Sequence, residues 1–241
     1  MVDCITAMRC GGPRMRGRQK LISEDERRGL LLQAAEDVFI ERGYGLATMD
    51  DVSRRAGMSK KTIYQLFATK QALFEALIAQ NIEHLMMPIR ADDGTRSPRA
   101  VLEEFLTQLA RFLLSPRQVA MSRLVISEMH RTPEIAQSFM LQAMDRGRGT
   151  LVRWLERQHA RGALHVEDAD EATSMLCGFV ISEPQMCLLY GQDAPSTWAA
   201  IDRRVQRGLD VFFRGTGAET TLAETKLAEV KLGGAEAASA D

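Results

Sequence analysis

The 241-residue chain reads as all-α, with an N-terminal three-helix unit and a larger helical domain behind it. Three observations carry that expectation. No stretch alternates apolar and polar residues between hairpin turn dipeptides, so strands have no signature here. Helix-start signals recur instead. Ser23-Glu24-Asp25-Glu26 and Thr48-Met49-Asp50-Asp51 have the capping-box form, a hydroxyl with a carboxylate three residues on. Gly43, Gly57, Gly162, Gly191 and Gly215 then close the apolar-periodic segments, at positions where a left-handed C-cap suits glycine.

These signals divide the chain into about nine helices, over 24–42, 49–56, 60–66, 70–87, 98–114, 116–130, 133–161, 169–190 and 196–214. In the first, Leu31, Ala35, Val38 and Phe39 make one apolar stripe. Met49, Val52 and Ala56, then Ile63 and Phe67, then Leu73, Phe74 and Leu77 continue it, so three helices close a core and the fourth leads away. Ser97-Pro98, Ser115-Pro116 and Thr132-Pro133 each set an N-cap hydroxyl before a proline suited to the first turn. Asp168, with Asp170 and Glu171 behind it, starts the helix 169–190. Pro184 inside that helix should kink it or free a carbonyl near Val180.

The last two helices carry apolar residues on more than one side. Met175, Leu176, Phe179 and Ile181 exceed what one neighbour covers, and Ile201, Val205, Leu209 and Phe212 form a second stripe. A four-helix interface between two subunits accounts for both; a helix buried within its own chain is the alternative. Four regions follow: a disordered basic arm over 1–22, the three-helix unit over 23–70, the helical domain over 71–215 and a flexible tail over 216–241. The arm either adds minor-groove or phosphate contacts or is a leader preceding a start at Met8 or Met15.

A formal net charge of −1 hides an asymmetry. Residues 1–72 hold 13 Lys/Arg against 9 Asp/Glu, and the remainder is acidic. Such a chain presents one end to phosphate. No apolar run approaches a membrane span, and residues 1–20 lack the apolar segment of a secretory signal, so the expected location is the cytoplasm, without membrane contact. Cys4, Cys10, Cys177 and Cys187 form no CxxC pair, and Glu128, His130 and Glu183 lack helical metal spacing. Neither metal nor cofactor is expected, and no nucleophile–base pair or phosphate loop marks an enzyme.

Residues 48–70, TMDDVSRRAGMSKKTIYQLFATK, carry the chemistry. Two short helices joined through Ala56-Gly57-Met58-Ser59 form a helix-turn-helix, a motif that reads the major groove of double-stranded DNA and usually does so as a symmetric dimer on a pseudo-palindrome. Ser59 is placed to cap the second helix. Lys60 and Lys61 lie on its first turn, Thr62 offers hydroxyl and methyl to base edges, and Gln65 can pair with adenine, so these four are the expected base readers. Thr48, Ser59, Tyr64 and Lys70 are the expected phosphate contacts. A solvated basic face would explain the lysines alone, but not the caps, the turn and the aromatic together.

On those residues Glu26 to Ile78 resembles the N-terminal domain of the TetR family of transcriptional regulators. The matching stretches are AAEDVFIERGY, TMDDVSRRAGMS, KKTIYQLF and TKQALFEAL; Leu66 departs, standing where members often carry a histidine that approaches the backbone. Further on, RLVISEMHRTPEIAQSF, LVRWLERQHARGAL and DVFFRG resemble the C-terminal domain of AefR-like members. The resemblance implies a homodimer that represses its targets and leaves DNA when a small molecule binds.

Met121, Met129, Phe139, Met140, Met144, Trp154, Met175, Phe179, Met186 and Tyr190 are numerous enough to line an adaptable apolar effector pocket, with ordinary core as the alternative. The function expected is therefore a sequence-specific, ligand-responsive repressor. The competing reading is a helical sensor or enzyme whose DNA-binding motif no longer works.

Overall fold

The computed structural model describes residues 23–192 and 197–216, which form eleven α-helices, one π-helical segment and no strand. The arm expected over 1–22 and all but the first residue of the tail lie outside the described residues.

The N-terminal unit comprises α1 (Glu24–Arg42), α2 (Met49–Arg55), α3 (Lys60–Leu66) and the start of α4 (Lys70–Leu85). Both capping boxes form. The Ser23 hydroxyl accepts from the Glu26 amide at 3.1 Å while the Glu26 carboxylate accepts from the Ser23 amide at 2.8 Å, and Thr48 with Asp51 repeats the pattern. Gly57, at φ 66°, ends α2 in a Schellman turn: its amide donates to Arg54 O and the Met58 amide to Ser53 O. That left-handed residue sets the sharp approach of α3 to α2. The predicted stripe is buried, Ala56 only in part, and Phe39, Tyr44 and Phe74 close its centre with ring centroids 5.4–6.0 Å apart.

This core does not end with α4. Met121, Leu124 and Val125 of α7 (Pro116–Glu128) and Ile135 of α8 (Pro133–Phe139) are buried in the same cluster. The second core joins α5 (Met87–Arg90), α6 (Pro98–Leu113), α9 (Arg148–Ala160), α10 (Ala169–Leu189) and α11 (Trp198–Gly215). Trp154 fills its centre, fully buried, and donates from Nε1 to Asp92 Oδ2 at 2.7 Å.

Several elements differ from the sequence reading. The single helix expected over 133–161 is α8, a π-helical segment (Met140–Gly147) and α9. A π turn is wider by one residue, a change too small over eight residues to disturb the apolar spacing visible in sequence. Gly147 at its end lies against α4, where an added Cβ would come 3.3 Å from Ile82. The fourth helix stops at Leu85, and Pro88 stands in the first turn of a separate short helix that begins at Met87. Thr132 makes no side-chain cap, its backbone being at φ −139°, ψ 71°, and Gly215 lies inside α11 without positive φ.

Pro184 lies inside α10, which runs from Ala169 to Leu189, and having no N–H it leaves the Val180 carbonyl without its intrahelical donor. This helix is long and apolar enough to cross a membrane by length and composition. Here Thr173, Leu176, Val180, Ile181 and Pro184 give it a buried face within the protein core. The stripe Ile201, Val205, Leu209 and Phe212, expected at a subunit interface, is instead buried within the chain. Periodicity reported that a face is covered, not what covers it.

Candidate nucleic-acid interface and cavity

The recognition helix α3 is anchored from below and open above. Ile63 and the C-capping Phe67 are buried in the N-terminal core, and the Arg28 guanidinium sits 4.6 Å from the Phe67 ring centroid. The opposite face presents Lys60, Lys61, Tyr64 and Gln65 to solvent, with Thr62 half-buried beside them. Ser59 caps α3: its Oγ accepts from the Thr62 amide at 3.1 Å and lies 2.9 Å from Thr62 Oγ1. Lys60 is ion-paired with Asp50, so reading a base with it requires exchanging that partner. Leu66, half-buried against the core, brings no polar group toward the backbone.

Of the expected phosphate contacts, Thr48, Ser59 and Tyr64 are exposed. Lys70 is not. Its Nζ donates to the carbonyls of Tyr44 at 2.7 Å and Ala47 at 2.9 Å, with Gly45 O at 3.4 Å and the Tyr44 ring centroid at 4.4 Å. Burial lowers its pKa, against the opposing pull of the Glu128 carboxylate. This ammonium ties the α1–α2 turn to α4. Tyr44 beneath it is pushed up to about 12 by burial, with Glu134 and Glu75 adding to the shift.

The surface around the motif is fixed by further pairs. Asp51 binds Arg42 at 2.9 Å, and its carboxyl is held below the usual range first by the Thr48 hydroxyl. Arg55 pairs with Glu41 of α1 at 2.5 Å. From α7, Arg117 reaches back to Glu36 and Asp37 of α1, both at 2.5 Å. At the other end of α7, Glu128 Oε1 lies 3.4 Å from the Gly45 amide and accepts its hydrogen bond. One helix therefore grips the N-terminal unit at two places.

A cavity of about 180 Å³ lies between α4, α6, α7, the end of α8, the π-helical segment, α9 and α10. Ile82, Leu85, Met86, Phe105, Phe112 and Leu151 supply much of its hydrocarbon wall. Of the residues expected to line an effector pocket, Phe139 alone does so among those described. Met121 and Trp154 are buried in the two cores; Met129, Met140, Met175, Phe179, Met186 and Tyr190 are exposed. Composition had singled out residue types, whereas the cavity arises where α4 crosses helices remote in sequence. Its polar lining comprises Asn81, Gln118, Arg148 and Thr173, none of them among the residue types that composition points to. The spacing of Gln118, Met121 and Val125 would have placed the glutamine on a buried face.

Met175, Phe179 and Met186 of α10 and Trp198 and Val211 of α11 are each about half exposed. Phe179 and Val211 share a groove with Arg203, Arg204 and Arg207. Among the described residues no cluster of His, Cys, Asp or Glu suits a metal ion.

Comparison with known proteins converges on one family. The profile of the bacterial regulatory proteins of the tetR family matches residues 31–77, and that of the AefR-like transcriptional repressor C-terminal domain matches 100–215. The chain is 39% identical over 108 residues to the HTH-type transcriptional activator FasR of Mycolicibacterium smegmatis, covering 42% of this chain and 49% of FasR. It is 29% identical over 166 residues to the HTH-type transcriptional regulator YdeS of Bacillus subtilis, covering 65% of this chain and 74% of YdeS. A tetR-family regulator from Mesorhizobium loti superposes with a TM-score of 0.67 at 20% identity, covering 78% of this chain and 96% of that one. The flavonoid-responsive regulator FrrA gives 0.62 at 26%, covering 79% and 97%.

Proposed function

The chain belongs to the tetR family of bacterial regulatory proteins, and on that premise we propose that it is a sequence-specific DNA-binding transcriptional regulator. The observation that carries this reading is the exposed face of α3, where Lys61, Thr62, Tyr64 and Gln65 stand on a helix capped at one end and anchored at the other. Seven residues read too few base pairs for specificity, so two copies act on a pseudo-palindromic operator. The half-exposed apolar side chains on α10 and α11 suit the contact between them. The cytoplasm, where the chain meets DNA, is the location that goes with this role. No catalysis belongs to it.

Regulation enters through the cavity. Helix α4 lines it and also runs into the DNA-binding unit, so occupancy that favours another angle of α4 changes the separation of the two recognition helices. A ligand releases DNA only by binding the non-binding conformation more tightly, and a hundredfold preference is about 2.7 kcal/mol. The name of FrrA, a flavonoid-responsive regulator, supports such responsiveness. We infer repression relieved by a small apolar molecule, in keeping with the AefR-like repressor domain over 100–215. The likeness to FasR, named an activator, favours activation as the second reading.

Gel-shift titration at physiological salt, against a selected palindrome and a scrambled duplex, tests the DNA reading. Equal affinity for both would overturn it. In vitro transcription from a promoter bearing the operator then separates repression from activation.

A further inference from the structure

The cavity offers its occupant little polarity: the Asn81 amide on α4 is only partly buried and can meet water, and Arg148 and Thr173 are already engaged. Arg148, the single charged residue among the described lining, binds Asp170 twice, Nε to Oδ1 at 2.8 Å and Nη2 to Oδ2 at 2.6 Å. The Thr173 hydroxyl donates to Ala169 O at 2.8 Å. The Cys177 thiol is pushed up to about 11 by burial, so it remains protonated and neutral. Gln118 differs. It is 4% exposed, lines the cavity from the first turn of α7, and its Oε1 is buried without a hydrogen-bond partner. A buried amide oxygen left unpaired carries a desolvation cost that nothing in the fold offsets.

We propose that the cavity takes a neutral, largely hydrocarbon molecule about one aromatic ring in size, whose single hydroxyl or amide group pairs with the Gln118 side chain. The inference rests on the reading of the chain as a ligand-responsive regulator and adds the chemistry of the ligand. Size follows from volume: an apolar cavity of roughly 150 Å³ holds benzene, so this one holds a ring with one or two substituent atoms. Neutrality follows from Arg148, whose guanidinium is committed to Asp170, which leaves a carboxylate without a counter-ion. A glutamine amide can turn to offer either its oxygen or its NH₂, so the ligand's polar group can donate or accept.

The test is calorimetric titration of the full chain with p-cresol, p-xylene and 4-methylbenzoate, on wild type, Gln118→Leu and Gln118→Met. Cresol and xylene share a shape and differ by one hydroxyl; comparing their affinity ratio between proteins cancels their different hydration. The ratio should favour cresol about tenfold more in wild type than in either variant, which corresponds to about 1.4 kcal/mol. Far-ultraviolet circular dichroism identifies a misfolded variant, in which case the other supplies the ratio. An unchanged ratio, no binding of either neutral probe to wild type, or tighter binding of 4-methylbenzoate than of cresol would each overturn the proposal. Operator affinity in the same samples reports on ligand-controlled release separately, so either conclusion can fail alone.

Discussion

Lys70→Met separates two roles that a lysine following a helix-turn-helix can play. The substitution keeps the length and apolar stem of the side chain and removes the ammonium. In this structure the ammonium holds Tyr44 O at 2.7 Å and Ala47 O at 2.9 Å. A hydrogen bond from a charged donor contributes about 1.5–3 kcal/mol, but the site is only half-buried and water competes, so we assign about 2 kcal/mol to the pair together. For a chain of this size that lowers the melting temperature by roughly 4–8 °C. The assay pairs thermal unfolding, at fixed protein concentration, with operator affinity measured over a range of salt. The affinity should fall because the α1–α2 turn loosens, while the slope of log K against log salt stays constant. A phosphate contact gives the opposite pattern, a slope reduced by about 0.9 for each contact and an unchanged melting temperature. That second pattern would refute the structural role.

Three further outcomes are expected. Lys61→Ala and Thr62→Ala should each relax preference at particular base pairs by about 1–3 kcal/mol, whereas Tyr64→Phe should weaken all sequences alike; a selected operator logo unchanged by either alanine would refute the assignment. Asp51 has a folded-state pKa depressed mainly by the Thr48 hydroxyl, so its stabilisation is complete above the ordinary carboxylate range and is lost as pH falls through the folded value. Thr48→Ala should therefore move acid unfolding to higher pH, with an unshifted midpoint counting against the cap. Phe179→Glu combined with Val211→Glu should give a monomer in sedimentation velocity; a dimer that persists would place the subunit contact elsewhere.

What could be read in the sequence was local. The boxes at Ser23 and Thr48, the Ser59 cap and the Gly57 turn each involve residues within a few positions of one another, and each forms as the residue types dictate. The partners of Lys70 are backbone carbonyls, which leave no mark in a sequence. The stripe on α11 was real, but periodicity cannot name its neighbour. The cavity needed the crossing of α4 with helices up to a hundred residues away, so Gln118 became visible as a polar anchor only once α7 was in place.

Arg117 and Glu128 grip the DNA-binding unit from opposite ends of α7, and Met121, Leu124 and Val125 between them complete that unit's core. The place where the motif ends is therefore not a place where the chain can be cut. A chimera that joined residues 23–85 to a foreign sensor would leave an apolar face on α1 and α4 open to water and the Glu36 carboxylate without its counter-charge, with Asp37 keeping only Arg55 at 3.7 Å. A workable crossover carries residues 116–139 along with the DNA-binding helices, or else rebuilds that contact in the recipient. The same constraint acts on natural recombination: Lys61, Thr62 and Gln65 can diverge without touching this contact, while exchange of whole domains is confined to partners whose α7 presents a matching face.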